Sequence, residues 1–284
     1  MQVFVFPGQG SQVKGMGSDL FDSVTEYTSV EAQVDEILGY SMRELCLSDP
    51  NEELGQTQFT QPALYVVNAL TYYSAVKEGQ KPDYLAGHSL GEYNALLAAG
   101  VFDFLTGLKL VKKRGELMAQ ARDGGMAAII GIDAETIQTV LSENNFDGID
   151  IANFNSPAQT VISGPVDQLH QAESAFKDAG VKLYKVLPVS AAFHSRYMKP
   201  AGDEFASFLA EFNFNELQVP VIANVTASPY PTNDNSAVKE LLVKQISGSV
   251  QWTQSIRYLK ELGEAEFTEV GPGKVLARLI KQID

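Results

Sequence analysis

Ser89 stands in Gly87-His88-Ser89-Leu90-Gly91, between the apolar run Tyr84-Leu85-Ala86 and an alanine- and leucine-rich stretch, residues 92–99. Strand, Gly-x-Ser-x-Gly and helix in that order form a nucleophile elbow. The chain turns so tightly that the glycine positions leave no room for side chains, and the bend lifts the hydroxyl to the mouth of a sheet at a helix N-terminus. The bland alternative is a tight connection without chemistry. A serine hydroxyl is a weak nucleophile near neutral pH and needs a base within hydrogen-bond reach, and the chain has three histidines. His88 belongs to the elbow and should point away from the serine. His170 accompanies the stripe Val166, Leu169, Ala172 and Phe176 on a helix and reads as a surface residue. His194, on a loop between a strand and a helix, is the base by elimination. No aspartate stands out to orient it, which leaves a backbone carbonyl for that task.

An acyl-transfer site also needs donors for a developing oxyanion. The N–H of Leu90, the residue after the nucleophile, is the usual first donor, and a second would come from Gln9 in the loop Pro7-Gly8-Gln9-Gly10-Ser11-Gln12. That loop follows a first strand, residues 2–6. It fails the dinucleotide pattern, with Val13 where a third glycine belongs, and the chain has no Gly-Lys-Ser/Thr. A turn kept only for its shape is the alternative. Arg114 lies three residues from both Val111 and Leu117, on the apolar side of its helix, and an inward arginine wants a carboxylate. Its neighbours Lys112 and Lys113 read as a solvated face.

The elements that must position these groups alternate. Helical spacing covers residues 18–49, with one helix ending at Leu38-Gly39 and another starting near Ser41. Gln58, Phe59, Gln61 and Pro62 precede a long apolar helix through Ala63, Tyr65, Val66, Leu70 and Tyr73, read as buried beside the elbow. Another helix spans residues 105–122. Asp123-Gly124-Gly125 reads as a hinge, after which two strand-helix-strand units follow: 126–132, 133–144 and 149–153, then 160–163, 166–179 and 182–187. Two such units are the signature of a ferredoxin-like subdomain. Beyond His194 come a helix, an apolar run at 219–225 read as a central parallel strand, helices at 238–246 and 250–262, a strand at 266–270 and a closing helix at 274–283. The expected fold is α/β: a hydrolase-like parallel-sheet domain, residues 1–124 and 190–284, carrying a small inserted ferredoxin-like subdomain, residues 125–189.

Composition narrows the function. With 284 residues and 45% hydrophobic content the chain can bury a large core, and a formal charge of −14 argues against nucleic acid or an anionic membrane as partner. Cys46 is the single cysteine, so neither a disulfide framework nor a Cys/His metal site can be assembled. No signal peptide or membrane span is read, and a cytoplasmic monomer without a resident cofactor is expected.

Six stretches together resemble the malonyl-CoA:acyl carrier protein transacylases: Phe6-Pro7-Gly8-Gln9-Gly10-Ser11-Gln12, Gly87-His88-Ser89-Leu90-Gly91-Glu92, Arg114-Gly115-Glu116-Leu117-Met118, Asn153-Phe154-Asn155-Ser156-Pro157, Phe193-His194-Ser195 and Glu269-Val270-Gly271-Pro272-Gly273. They fall in the family's order across nearly the whole chain. The resemblance implies a hydrolase-like α/β domain with a ferredoxin-like insert. It implies that malonyl-CoA is the substrate, that Ser89 takes the malonyl group with His194 as base, and that the phosphopantetheine thiol of an acyl carrier protein accepts it. It also implies an oxyanion hole from Gln9 and Leu90, a Gln245 backbone carbonyl orienting His194, and Arg114 gripping the malonyl carboxylate.

By the same resemblance Phe193 would exclude an α-methyl group, although it could equally be plain core. The segment Thr57-Gln58-Phe59-Thr60-Gln61-Pro62-Ala63-Leu64-Tyr65-Val66-Val67-Asn68 is similar to free-standing acyltransferases that serve polyketide synthases. Four alternatives stand beside this reading: a fatty-acid-synthesis transacylase, a hydrolase clearing acyl groups from carrier proteins, a silent carrier-docking module and an ordinary esterase. Lys112, Lys113, Lys274, Arg278 and Lys281 are candidate contacts for an acidic carrier protein.

Overall fold

The structure, a computed structural model, describes residues 1–284. Strand β1 (Gln2–Phe6) leads through the Pro7–Gln12 loop to helices α1 (Thr25–Thr28), α2 (Glu31–Leu38), α3 (Met42–Leu47) and α4 (Thr57–Lys77). Then come β2 (Tyr84–Gly87), α5 (Gly91–Ala98) and α6 (Phe104–Gln120). Next are β3 (Gly124–Ile130), α7 (Ala134–Glu143), β4 (Asp150–Ser156), β5 (Gln159–Pro165), α8 (Val166–Asp178) and β6 (Leu183–Val186). A 3₁₀ turn (Arg196–Met198) precedes α9 (Lys199–Leu209), β7 (Val221–Ile222), α10 (Asn235–Ser247), α11 (Trp252–Glu261), β8 (Glu266–Glu269) and α12 (Val275–Ile280).

Two four-stranded sheets result. The first is parallel, ordered β7-β2-β1-β8. Its central strand β1 is buried on both faces. Phe4 and Phe6 join a 50-residue core with α4, α5 and α6, while Val3 and Val5 join a second core with α11 and α12. That is why residues 3–6 read as continuous apolar sequence. The second sheet is antiparallel in the order β4-β5-β3-β6, the ferredoxin-like arrangement. One face packs Ala127, Ile129 and Ile162 under α7 and α8; from the other, Met126 and Val161 reach into the large core. A parallel bridge between Asn153 and Val250, with Phe154 N–H donating to the Val250 carbonyl at 2.9 Å, ties the two halves together beside the site.

Three expectations change. Gly124 and Gly125 are no hinge but the first residues of β3, paired with Pro165 and Gly164; a Cβ at Gly124 would lie 2.5 Å from the Ala192 nitrogen, so glycine there permits close packing. The run at 219–225 is not a central strand. Only Val221 and Ile222 pair, at the sheet edge, because the chain then leaves to carry Asn224 under the elbow. Helix α4 starts at Thr57 and contains Pro62. Proline in this second turn has no N–H to offer the Gln58 carbonyl, so the helix gives up one hydrogen bond near its start.

Candidate active site

The elbow is built from backbone constraint. A Cβ at Gly87 would lie 2.0 Å from the Gly91 carbonyl carbon, and one at Gly91 would lie 2.0 Å from the Phe6 carbonyl oxygen. Both positions therefore demand glycine. Ser89 itself sits at φ 51°, a left-handed conformation that costs a serine energy and persists because its surroundings fix it. Asn224 supplies part of that fixing: its Oδ1 accepts from Ser89 N–H at 2.7 Å and its Nδ2 donates to the Gly87 carbonyl at 2.6 Å.

His194 is also left-handed, at φ 55°, and its Nε2 lies 2.7 Å from Ser89 Oγ. Its Nδ1 faces two carbonyls, Gln245 O at 2.9 Å and Gly248 O at 3.1 Å. Two acceptors on one nitrogen require that nitrogen to carry the proton, which leaves Nε2 free to take one from the serine. Burial, then the nearby charge of Arg114, lowers the imidazole to about 3, so it is neutral throughout the ordinary pH range. The orienting group is thus a pair of carbonyls, of which Gly248 had no sequence signal.

Arg114, on α6, is 1% exposed. Its Nη2 donates to Ser89 Oγ at 3.1 Å and to Gln245 Oε1 at 2.9 Å, and its Nη1 donates to Gln61 Oε1 at 2.6 Å. The carboxylate partner expected for an inward arginine is not among these contacts. Two side-chain amides hold the guanidinium instead, with the Tyr93 ring 5.6 Å away, and Arg114 Nε has no acceptor. Burial holds the guanidinium below its usual pKa.

Neither Gln9 N–H nor Leu90 N–H donates to a protein acceptor. Both residues line the cavity of about 240 Å³ that holds Ser89, Arg114 and His194. Phe193, Met118, Met126 and Val161 supply its apolar wall, so the small sheet roofs the site. His88 turns away from the serine as expected, with Nε2 2.8 Å from Asn155 Oδ1 and its ring edge-on to Trp252. His170 is exposed on α8. A larger groove of about 850 Å³ between β4 and α9–α10 touches His194 but neither Ser89 nor Arg114, so the reactive constellation belongs to the smaller cavity. Of the suggested carrier contacts, Lys112 and Lys113 are already paired with Glu116 and Glu204, whereas Lys274, Arg278 and Lys281 are exposed.

Sequence reasoning missed Gln61, Glu92, Asn224 and Gly248. Glu92 had a legible signal, a lone carboxylate in an otherwise apolar helix start, and it is fully buried. Gln61 and Asn224 look like ordinary polar residues until the fold brings α4 and the chain after β7 to the elbow.

The acyl transferase domain family matches residues 3–283. The chain is 53% identical, over 285 residues, to a polyketide-biosynthesis malonyl CoA-acyl carrier protein transacylase of Bacillus velezensis, covering 100% of this chain and 96% of the relative. The crystal structure of a malonyl CoA-acyl carrier protein transacylase from Burkholderia pseudomallei superposes with a TM-score of 0.94 at 53% identity, covering 100% of this chain and 97% of that one. A malonyl-transacylase solved in complex with its type II polyketide-synthase acyl-carrier protein gives a TM-score of 0.92 at 38% identity, covering 99% and 92%.

Proposed function

This chain belongs to the acyl transferase family, and we propose that it moves a malonyl group from malonyl-CoA to the phosphopantetheine thiol of an acyl carrier protein serving polyketide synthesis. The supporting observation is Arg114: a buried guanidinium with no carboxylate contact, 3.1 Å from the Ser89 hydroxyl. A buried cation with no carboxylate in contact is costly, and the cost is offset when an incoming carboxylate pairs with it. Malonyl carries that carboxylate a short distance from its thioester, so both ends fit one pocket.

In the reaction Ser89 Oγ attacks the thioester carbonyl while His194 Nε2 takes its proton. Gln9 and Leu90 N–H groups, free of other acceptors, receive the oxyanion, and the imidazolium returns its proton to the departing CoA thiolate. Malonyl-serine remains. The carrier thiol then gives its proton to His194 and attacks the ester; the bond to Ser89 Oγ breaks, the imidazolium returns the proton to that oxygen, and the thiol leaves with the malonyl group, so the kinetics are ping-pong. The substrate assists its own activation. Burial first, and then Arg114, holds the imidazole pKa down, and a malonyl carboxylate paired with the guanidinium would offset the second of these.

All reacting groups come from one chain and none calls for a cofactor. A monomer in the cytoplasm is the expected working form, and no helix is long and apolar enough to cross a membrane. Incubation with a panel of acyl-CoAs, followed by intact mass, tests the reading. A malonyl adduct on Ser89 that a carrier thiol removes supports it; rapid loss to water alone would make the enzyme a hydrolase.

A further inference from the structure

We propose that Glu92 is a positioning residue for this transfer: a buried carboxylate that holds the Gln245 amide and, through it, both Arg114 and His194. The proposal rests on the malonyl-transfer reading of the site.

Glu92 lies on α5 with no solvent exposure and no cation in contact. Three donors converge on it. Tyr230 Oη donates to Oε1 at 2.6 Å, Asn224 N–H donates to Oε1 at 3.1 Å, and Gln245 Nε2 donates to Oε2 at 2.7 Å. A surround made only of donors fits the ionised acid, and a proton on Oε2 would set donor against donor. Gln245 is the hub. Its Nε2 is shared between Glu92 and the Ser89 carbonyl, at 2.7 Å to each, which turns its Oε1 toward Arg114 Nη2. The main-chain carbonyl of the same residue accepts from His194 Nδ1. If Glu92 stopped accepting, the amide would lose one of the two acceptors that fix its orientation, and the Ser89 carbonyl alone would be left to keep Oε1 toward the guanidinium.

The arrangement also explains how Arg114 can be buried yet available. Its counter-charge sits one amide away, so the two charges offset each other across Gln245 while the guanidinium keeps donors free for an acyl carboxylate. A direct ion pair would occupy those donors.

The charged and titratable groups that face Glu92 are Arg114 from α6, Tyr93 from its own helix and Tyr230 from the chain after β7; Gln245 and Asn224 are neutral. Burial lifts the Glu92 carboxyl to about 7, with the three hydrogen bonds and Arg114 acting against that rise. His194, lowered to about 3, stays neutral over the same range. An acidic limb near neutrality therefore belongs to Glu92 and not to the base.

The test measures kcat/KM for malonylation of Ser89 by malonyl-CoA against pH in the intact chain. We expect the rate to fall as pH falls through about 7. Glu92→Gln should lower the plateau by about 10²-fold, the scale of a misplaced reactive group, and erase the limb. Tyr230→Phe, which removes a hydrogen bond to the ionised form, should move the limb to higher pH, and it reads the same group if Glu92→Gln does not fold. A limb that stays put in Tyr230→Phe, or a Glu92→Gln enzyme with the parent's rate and limb, overturns the proposal while leaving malonyl transfer standing. Absence of any malonyl-Ser89 in the parent would instead remove the reading beneath it.

Discussion

The two ends of the reactive cavity are made of different materials. Apart from the hydroxyl and the imidazole, the end where bonds change uses backbone: free N–H groups at Gln9 and Leu90, carbonyls of Gln245 and Gly248, and left-handed turns at Ser89 and His194. The end proposed to read the acyl group is made of side chains: Arg114, Gln61 and Phe193 line it, with the Gln245 amide and Glu92 behind the guanidinium. Backbone groups cannot be changed by substitution without moving the chain, so chemistry is held fixed there. Side chains can be exchanged, so selectivity is the adjustable property.

Substitutions at each end sharpen that contrast. Ser89→Ala should have the largest effect, removing the acyl-enzyme altogether; intact mass after malonyl-CoA should show no adduct, with turnover down by about 10⁶-fold. Arg114→Ala should act on choice more than on chemistry. We expect malonyl kcat/KM to drop by about 10²–10³-fold, the cost of losing one partner of a buried charge pair, while acetyl transfer changes far less. Equal losses for malonyl and acetyl would show that the guanidinium serves the reacting end instead.

The two ends should also respond oppositely to pH. His194, held near 3 in the fold against 6.5 unfolded, binds fewer protons folded than unfolded between those values, so its contribution to stability is present above about 6.5 and is lost as pH falls. Glu92, raised to about 7 from 4.5, binds more protons folded than unfolded across that interval, so its ionisation lowers stability as pH rises. Between about 4.5 and 6.5 the two slopes, each about 1.4 kcal/mol per pH unit, oppose each other. Denaturant titrations should therefore show stability falling with pH in His194→Ala and rising with pH in Glu92→Gln, relative to the parent. Parallel slopes in the two variants would break the comparison. The smallest effect is expected at Phe193→Leu, where relief of crowding should improve methylmalonyl relative to malonyl by about tenfold, measured as a ratio of kcat/KM values.

Much of this was legible in the chain itself. The elbow, the first strand, the two strand-helix-strand units and the inward face of Arg114 are local patterns whose period or glycine spacing admits few structures. What sequence misjudged were features that depend on distant neighbours. Val219–Val225 is apolar enough for a central strand, yet Asn224 is needed beneath Ser89, so pairing stops after two residues. The Asp123-Gly124-Gly125 break resembles a hinge because glycine is the common marker of both a flexible joint and a close approach, here to Ala192.

The order of residues alone determined which hydroxyl stands at the elbow, since Gly87 and Gly91 permit only one sharp turn and that turn presents Ser89. It also determined that Arg114 faces inward, since helical spacing puts it beside Val111 and Leu117. Only the tertiary structure decided what surrounds these groups. Gln61, Asn224, Glu92 and Gln245 lie on four separate segments up to 184 positions apart (245 minus 61), and a buried polar network is specified by distance and direction, which no periodicity along the chain encodes.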